Sequence, residues 1–363
     1  MEVGGYMRVL HTADVHLKED DDRTLDGLEE VLAKAEQHDV DVLTIAGDIF
    51  GTSEDANALR PRLRTLFSDT AFDIIAIPGN HDADVYEENL DFGQDFDILV
   101  DRPLEECRYD DTVFAGVPYT DELTEELFSS LSREEDEEGT RFLLLHCTLD
   151  IGFISGEAGA EDATEYFPVT KSTLAKFGYD YVLAGHIHSA VREVPLANGG
   201  TFIYPGSPVS HSTKETGRRH AVLIDTDEGH ARSIPLDTYY FDRFTETVRP
   251  GEEDDVIEAI QQWVSERDDE HSDLEIFVDG FIEREEAEFR DLLDEAAGSA
   301  TVTNESREVS EVLEHSLYQQ FLDELDEEDI DNLEDDSGLD DDAVRTRVIQ
   351  VLSRLLAGRE IRP

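Results

Sequence analysis

The sequence predicts an α/β fold, and two observations lead to this prediction. Six short apolar runs, rich in Val, Ile, Leu and Phe and bounded by Gly, Pro or Asp, are typical of buried strands: 8–11, 42–46, 73–77, 141–145, 181–184 and 201–204. Between the first two runs, residues 24–38 carry apolar side chains at helical spacing: Leu25, Leu28, Val31, Leu32 and Ala35. The chain therefore opens with a β-α-β unit.

A second, smaller domain is predicted after about Tyr239, where the pattern changes. A chain of 363 residues is expected to contain about two domains. A helix at 255–267, a strand at 274–282 and a helix at 283–297, which ends at Gly298, indicate a small α+β unit. A helix at 311–325, an acidic linker at 326–342 and a last helix at 342–357 follow. We expect domains at 1–238 and 239–310, and C-terminal helices with the linker at 311–363.

The charge of the chain is unusual. There are 29 Lys and Arg residues against 89 Asp and Glu residues, which gives a formal net charge of −60, and only five of the basic residues are Lys. Such a surface is typical of proteins that work in concentrated salt, where like-charge repulsion is screened. An ordinary acidic protein is the alternative. The absence of a broad basic patch counts against simple DNA binding.

Several classes of protein are excluded by the sequence. No run of about 18 apolar residues exists, so no membrane span is expected. Residues 1–9 contain no signal-peptide core. Cys107 and Cys147 do not make a disulfide framework, and Cys147 is expected to be a small buried side chain. We therefore expect a cytoplasmic protein.

Metal-ligating residue types follow five of the predicted strands. They occur in Asp-Val-His at 14–16, Gly-Asp at 47–48, Gly-Asn-His-Asp at 79–82, His146, and Gly-His-Ile-His at 185–188. The carboxyl ends of strands are where open α/β sheets bind ligands. In extended backbone, residues i and i+2 point the same way, so Asp14 and His16 should converge on one point, as should His186 and His188.

The chemistry of these residues points to divalent metal ions. Neutral imidazole and carboxylate oxygen suit Mn, Fe, Zn or Ni, and the absence of Cys argues against a structural zinc site. The candidate ligands are too many for one ion and suffice for two if Asp48 bridges them: Asp14, His16, Asp48, Asn80, His146, His186 and His188. Two ions about 3.5–4 Å apart can bind both the attacking and the leaving oxygen of a phosphate ester.

These five motifs resemble the signatures of the calcineurin-like metallophosphoesterases. The wider context at 11–17, 46–50, 77–82 and 204–208 is similar to the Mre11/SbcD branch of DNA repair nucleases. The resemblance covers about residues 7–225. It implies a four-layer αββα sandwich with a dimanganese site, and it makes the domain after Tyr239 similar in order to the cap domain of that branch.

The resemblance also implies a role for each site residue. One ion would be held by Asp14, His16, Asp48 and His188, and the other by Asp48, Asn80, His146 and His186. His81 would contact the scissile phosphate and protonate the leaving oxygen. Asp82 would orient His81 or cap the helix that follows.

One position departs from the family pattern. Gly51 stands where many relatives carry a His or Asp that supports the catalytic histidine. Thr52, Ser53 and Asp82 are the candidates to replace that support.

Three functions are open. The first is a DNA exonuclease or endonuclease in double-strand break repair, the second a phosphodiesterase or phosphatase for a small molecule such as a nucleotide, and the third a scaffold for DNA ends or an ATPase with weak catalysis. The negative charge favours a small substrate over DNA, although phosphate contacts contribute little to affinity in molar salt. A complete set of metal ligands argues against the hypothesis that the chain is mainly a scaffold.

The partners expected are DNA, a Rad50-like ATPase and, as a homodimer, a second copy of the chain. The last helix has an apolar stripe of Val344, Val348, Leu352, Leu355 and Leu356 beside several arginines. In the resembled branch such a helix docks on the ATPase, but packing on its own cap domain is favoured, because amphipathic helices usually bury their apolar face within the same chain.

Two other groups of basic residues are expected to lie outside the metal site. Arg60, Arg62 and Arg64 form either a phosphate-contact cluster or a solvated helix face, and the solvated face is favoured. Three further histidines are expected to be structural or exposed: His211, His220 and His230.

Overall fold

The computed structural model describes residues 6–86, 91–132, 139–149, 167–189, 191–267 and 270–308. The chain forms two compact units, Met1–Asp242 and Arg243–Pro363. The predicted helices at 311–325 and 342–357 and the acidic linker between them lie outside the described residues, as does most of the acidic segment at 133–139, which the sequence predicts to be a loop. Within the described part of the chain, no helix is both long and apolar enough to cross a lipid bilayer.

The first sheet of the larger unit contains the first three predicted strands. Its four parallel strands are β1 (Arg8–Thr12), β2 (Val42–Ala46), β3 (Asp73–Ile77) and β4 (Phe96–Ile98). An antiparallel pair, formed by His220–Asp225 and His230–Pro235, extends the sheet beyond β1. Helices α1 (Asp22–Gln37) and α2 (Ser53–Leu66) connect the first three strands. Their N-caps are Asp21 and Thr52, whose side chains accept hydrogen bonds from Arg23 N and Asp55 N.

The second sheet contains the other three predicted strands. Its parallel strands, in chain order, are β5 (Thr112–Gly116), β6 (Thr140–His146), β7 (Tyr181–Gly185) and β8 (Thr201–Tyr204). Antiparallel edge strands at Glu105–Tyr109 and Arg192–Pro195 complete it. Two short helices, Glu125–Leu131 and Lys171–Leu174, a short strand pair, Thr148–Leu149 with Pro168–Val169, and a 3₁₀ turn, Ala83–Tyr86, complete this unit.

Three apolar clusters define the layers. Side chains such as Val42 of β2 and Phe142 of β6 pack between the two sheets. The outer face of the first sheet is covered by α1 and α2 through residues such as Leu28 and Leu63. The outer face of the second is covered by the two short helices through residues such as Leu127. The predicted four-layer αββα sandwich is thereby confirmed.

The smaller unit is an α+β structure. Its sheet contains Tyr240–Val248, Ser272–Ile282, Thr301–Asn304 and Arg307–Glu308. Helices Glu253–Ser265 and Glu286–Ala297 cover it, and their apolar residues, including Ile260 and Phe289, form one core with the sheet. The helix–strand–helix order and the end at Gly298 follow the sequence prediction, with bounds shifted by up to three residues.

Candidate metal centre

The structure brings the seven predicted ligands to one end of the two sheets. They lie in the loops that follow β1, β2, β3 and β7, and His146 is the last residue of β6. All of them are buried except Asn80, which is half-buried. Two groups of three side chains could each hold a metal ion, with ligand atoms within 4.8 Å of one another. The first group is Asp14, His16 and His188, and the second group is Asp14, Asp48 and His146.

The first group is built around two imidazoles. The Nε2 atoms of His16 and His188 lie 3.2 Å apart, and His188 Nε2 lies 3.8 Å from Asp14 Oδ1. Nitrogen atoms at this distance can share one cation between them. The predicted set for this ion also contained Asp48, whose Oδ2 lies 3.8 Å from His16 Nε2.

The second group is built around His146. Its Nε2 atom lies 3.2 Å from Asp48 Oδ2 and 2.9 Å from Asn80 Oδ1, while its Nδ1 faces the carbonyl oxygen of Ala46 at 2.9 Å. One carboxylate oxygen of Asp48 therefore faces histidines of both groups. Asp14 also belongs to both groups, which the sequence did not indicate.

His186 lies beside these groups in a different way from the one predicted. Its backbone N–H donates to both carboxylate oxygens of Asp14, each at 3.0 Å. Its ring centroid is 5.5 Å from that of His146. Neither three-residue group found among the described residues includes the His186 ring. Its role as a ligand of the second ion stays a prediction.

The convergence of residues i and i+2 was predicted on the assumption of extended backbone, but the backbone of the site is not extended. Asp14, His16, Asp48 and His186 have φ values of 55°, 46°, 51° and 97°, in the left-handed region that non-glycine residues rarely adopt. The side chains of Asp14 and His16 do converge, but a strained loop brings them together. Strained backbone of this kind clusters at functional sites.

Two glycines permit the loops to approach the site closely. A Cβ atom on Gly79 would lie 2.1 Å from Asp48 Oδ1, and one on Gly47, whose φ is 89°, would lie 2.3 Å from His146 Nδ1. Contacts of this length do not occur between real atoms, so only glycine fits at either position.

The electrostatics of the cluster favour a cation. Burial raises the pKa of Asp14 to about 7, against the lowering influence of His188 and His146. Burial lowers the pKa of His146, but the Asp48 and Asp14 carboxylates outweigh it and raise this pKa to about 10. Buried carboxylates that compete for positive charge, together with imidazole nitrogens, are a donor set that fits divalent ions such as Mn²⁺, Fe²⁺ or Zn²⁺.

His81 lies at the opening of the site. Its backbone N–H donates to Asp48 Oδ1 at 2.8 Å, its ring centroid is 5.0 Å from that of His16, and its side chain is exposed. It belongs to neither ligand group. Together with His81, seven residues line a cleft of about 300 Å³: His16, Lys18, Gly51, His188, His211, Ser212 and Glu215.

Asp82 has a different role from the two that were predicted. Its buried carboxylate accepts hydrogen bonds from the N–H groups of Gly79, Ile49 and Phe50 and from the Tyr86 hydroxyl, at 2.7 to 3.3 Å. It therefore joins the loop after β2 to the loop after β3. Burial, with the neighbouring Asp48 charge, raises its pKa to about 7.

Two residues of the cleft were not among the site residues predicted from the sequence. Glu215 is buried behind His188, with Oε1 3.3 Å from His188 Nδ1, and no motif marked it. His211, expected to be structural or exposed, lines the cleft, and its Nε2 lies 3.0 Å from the carbonyl oxygen of Asp14. The Tyr-Pro-Gly-Ser-Pro turn at 204–208 was the nearest available signal.

Outside the metal centre, the structure agrees with the predictions for two arginines and a cysteine. Arg62 and Arg64 of α2 are paired with Glu29 and Asp91, as on a solvated helix face. Cys147 is fully buried, as expected.

Comparison with known proteins identifies the family. The family model for calcineurin-like phosphoesterases matches residues 7–190, which include all seven predicted ligands and His81. The chain belongs to this family, and membership implies a metal-dependent hydrolase.

Two curated relatives are similar over part of the chain. An uncharacterized metallophosphoesterase, YhaO, from Bacillus subtilis (strain 168) is 38% identical over 80 residues, which are 22% of this chain and 19% of that protein. The DNA double-strand break repair protein Mre11 from Methanopyrus kandleri is 26% identical over an alignment of 265 positions, which covers 61% of this chain and 55% of that protein. The chain thus spans about a fifth and about half of the lengths of these relatives.

Among solved structures, a dimetal phosphatase from Danio rerio matches with a TM-score of 0.36 and 12% identity. The match covers 60% of this chain and 91% of that one.

Proposed function

We propose that this chain is a DNA nuclease of double-strand break repair, which hydrolyses phosphodiester bonds at a centre of two divalent metal ions. The observation that carries the proposal is the similarity to Mre11 from Methanopyrus kandleri over 61% of the chain, a larger part than the residues 7–190 that match the general family. The two ligand groups supply the chemistry that such a reaction needs.

The proposed ligand sets follow the sequence prediction. One ion would be held by Asp14, His16, Asp48 and His188, and the other by Asp48, Asn80, His146 and His186. Two such ions, Mn²⁺ in this proposal, would supply Lewis acidity for the phosphate oxygens and for the attacking water when bound. Because Asp48 Oδ2 faces both His16 and His146, Asp48 is the residue that joins the two sites.

His81 supplies the proton in this proposal. Its ring lies exposed at the cleft, next to His16, where the leaving oxygen of a bound phosphodiester would lie. The backbone bond from His81 N–H to Asp48 Oδ1 fixes its position relative to the ligands. An imidazole so placed protonates the leaving oxygen, which typically contributes 10²–10⁴-fold to a rate.

Lys18 is the cleft residue best suited to attract an anionic substrate. It is one of only five lysines in a chain with 89 acidic residues, and it is the one Lys or Arg among the described residues that line the cleft. In such a negative protein a single positive charge at the mouth of the site directs phosphate groups to the histidines.

A small phosphoester is the second candidate substrate. The net charge of −60 repels a polyanion, and a cleft of about 300 Å³ is at the lower end of the range for small-ligand pockets. Both observations favour a nucleotide or a similar phosphodiester over DNA in dilute buffer.

One experiment separates the two substrates. The purified chain is incubated with Mn²⁺ and labelled single- and double-stranded DNA, and in parallel with a chromogenic phosphodiester, in molar KCl. Cleavage of DNA by the wild type but not by Asp48→Asn supports the nuclease. If the small ester is hydrolysed while the DNA stays intact, the nuclease is refuted and the second candidate is supported.

The partners remain part of the proposal. The favoured interpretation of the helix predicted at 342–357 is that it packs on the cap domain of this chain; docking on a Rad50-like ATPase is the alternative, and a homodimer is a further proposal. Truncation after Asp336 separates the two interpretations of the helix: loss of ATPase binding with an unchanged melting temperature supports docking. A large fall in melting temperature would instead assign the helix to the fold of this chain.

A further inference from the structure

A buried carboxylate supports His188 from behind. Glu215 is only 3% exposed, and its Oε1 lies 3.3 Å from His188 Nδ1. The opposite ring nitrogen, Nε2, faces His16 and Asp14. Because Nδ1–H donates to the carboxylate, the lone pair of Nε2 is directed at the position where a metal ion would lie.

The Glu215 carboxylate is itself held by several donors. Its Oε2 accepts hydrogen bonds from the His211 backbone N–H at 2.8 Å and from the Ser207 hydroxyl at 3.4 Å. Its Oε1 accepts a hydrogen bond from the Ser212 hydroxyl at 3.2 Å. Both oxygens are therefore fixed, and the bond to His188 has a defined direction.

The backbone of His188 is fixed by the same segment of chain. Arg219, only 2% exposed, donates through Nη2 to the carbonyl oxygens of His188 and Ser189, and through Nε to that of Ser207. The segment 207–219 thus holds both the ring and the main chain of this one histidine. We call the side chains of Ser207, Ser212, Glu215 and Arg219 the His188 clamp.

The second group has a weaker arrangement at the corresponding place. His146 Nδ1 faces the neutral carbonyl oxygen of Ala46 at hydrogen-bond distance, 2.9 Å, while Asp14 Oδ1 lies farther away at 3.9 Å, so His146 Nε2 also faces the centre. A carboxylate acceptor raises the basicity of a histidine ligand more than a neutral carbonyl does. The two histidines therefore differ in the hydrogen-bond acceptor of Nδ1, which is a carboxylate for His188 and a neutral carbonyl for His146.

We infer that Glu215 is a positioning residue that makes the two ion sites unequal, so that the ion bound by His188 is held more tightly than the ion bound by His146. The inference rests on the proposed two-metal centre, but it does not depend on DNA as the substrate.

The test is a calorimetric titration of the metal-free full-length chain with Mn²⁺. The wild type is expected to bind two ions in two steps of different affinity. Glu215→Gln keeps the shape of the side chain but removes its charge, and we expect it to weaken the tighter step by about 10–100-fold and to leave the other step unchanged. The control, Glu29→Gln, removes the same charge from the surface of α1 and should leave both steps unchanged.

A double-mutant cycle separates positioning from general stability. In a His188→Ala background, Glu215→Gln should have no further effect on Mn²⁺ affinity, because the ring that it supports is gone. The melting temperature in a chelator should be the same for wild type and Glu215→Gln. If Glu215→Gln does not fold, Glu215→Asp, which keeps the charge on a shorter side chain, should weaken the same step by a smaller factor.

Three results would overturn the inference: an unchanged tighter step in the foldable variants, an equal loss in both steps, or an undiminished effect of Glu215→Gln without His188. The proposed function is tested separately. A chain that shows the expected titrations but cleaves no DNA refutes the nuclease and leaves the clamp. A chain that cleaves DNA but binds two Mn²⁺ ions with equal affinity supports the nuclease and overturns the inference about Glu215.

Discussion

Replacement of Gly79 by alanine should damage the metal centre from a position that carries no ligand atom. A Cβ atom at this position would lie 2.1 Å from Asp48 Oδ1, 2.5 Å from Asp48 N and 2.6 Å from Asp48 Cγ. Relief requires a shift of about 1 Å between the loops after β2 and β3, which the Asp82 carboxylate joins through its bonds to Gly79 and Ile49. Asp48 would therefore move away from His146.

The size of the effect follows from this overlap. Overpacking of a tight site costs about 1–3 kcal/mol. For a unit of this size that lowers the melting temperature by about 2–4 °C per kcal/mol. A displacement of about 1 Å at a catalytic centre costs about 10²-fold in rate. We therefore expect Gly79→Ala to fold, to bind Mn²⁺ more weakly and to lose about 10²-fold in phosphodiester turnover.

The assay combines a thermal melt, a Mn²⁺ titration and turnover of a chromogenic phosphodiester. Gly51→Ala is the control for melting temperature and Mn²⁺ affinity, because a Cβ at Gly51 would lie 3.5 Å from its nearest neighbours, an ordinary contact. Wild-type Mn²⁺ affinity and turnover in Gly79→Ala would refute the argument that close approach of this loop sets the position of Asp48.

Four further predictions concern other features of the chain. Asp48→Asn should abolish turnover and lower bound metal, measured by elemental analysis; full occupancy with normal turnover would contradict its bridging role. His81→Ala should keep its metal and lose about 10²–10⁴-fold in turnover, so an undiminished rate excludes it as proton donor. The melting temperature should rise with added KCl, because salt screens the repulsion among 89 acidic residues, and a flat dependence would refute the halophilic reading. Burial lowers the pKa of His11 to about 4, so the unfolded state binds more protons than the folded state below pH 6.5. Stability should therefore fall by up to about 3 kcal/mol as the pH drops from 6.5 to 4, and urea unfolding of His11→Leu should lack this component.

The strands that were predicted from the sequence are the ones buried on both faces. Of the predicted strands, β2 and β7 have every residue buried, and such strands are continuous apolar runs where they lie between layers. The edge strands at Glu105–Tyr109 and His230–Pro235 are largely exposed or only partly buried, so their hydrophobic pattern is weak. They were therefore missed, and β5 was missed although it is apolar.

The metal-ligating residues could also be predicted from a local pattern in the sequence. Asp, Asn and His residues that directly follow apolar runs stand out locally, and the sheets bring them together. Glu215 lies 27 residues after His188, and their contact depends on how the intervening chain returns to the site. The left-handed backbone at Asp14 and His16 and the loop-joining role of Asp82 also depend on tertiary contacts, which periodicity does not encode.

The most direct test of the two-metal centre is anomalous diffraction from crystals of the chain grown with Mn²⁺. We predict two manganese peaks about 3.5–4 Å apart, with the Asp48 carboxylate between them and His188 and His146 on opposite sides. A single peak, or two peaks that do not share Asp48, would contradict the account.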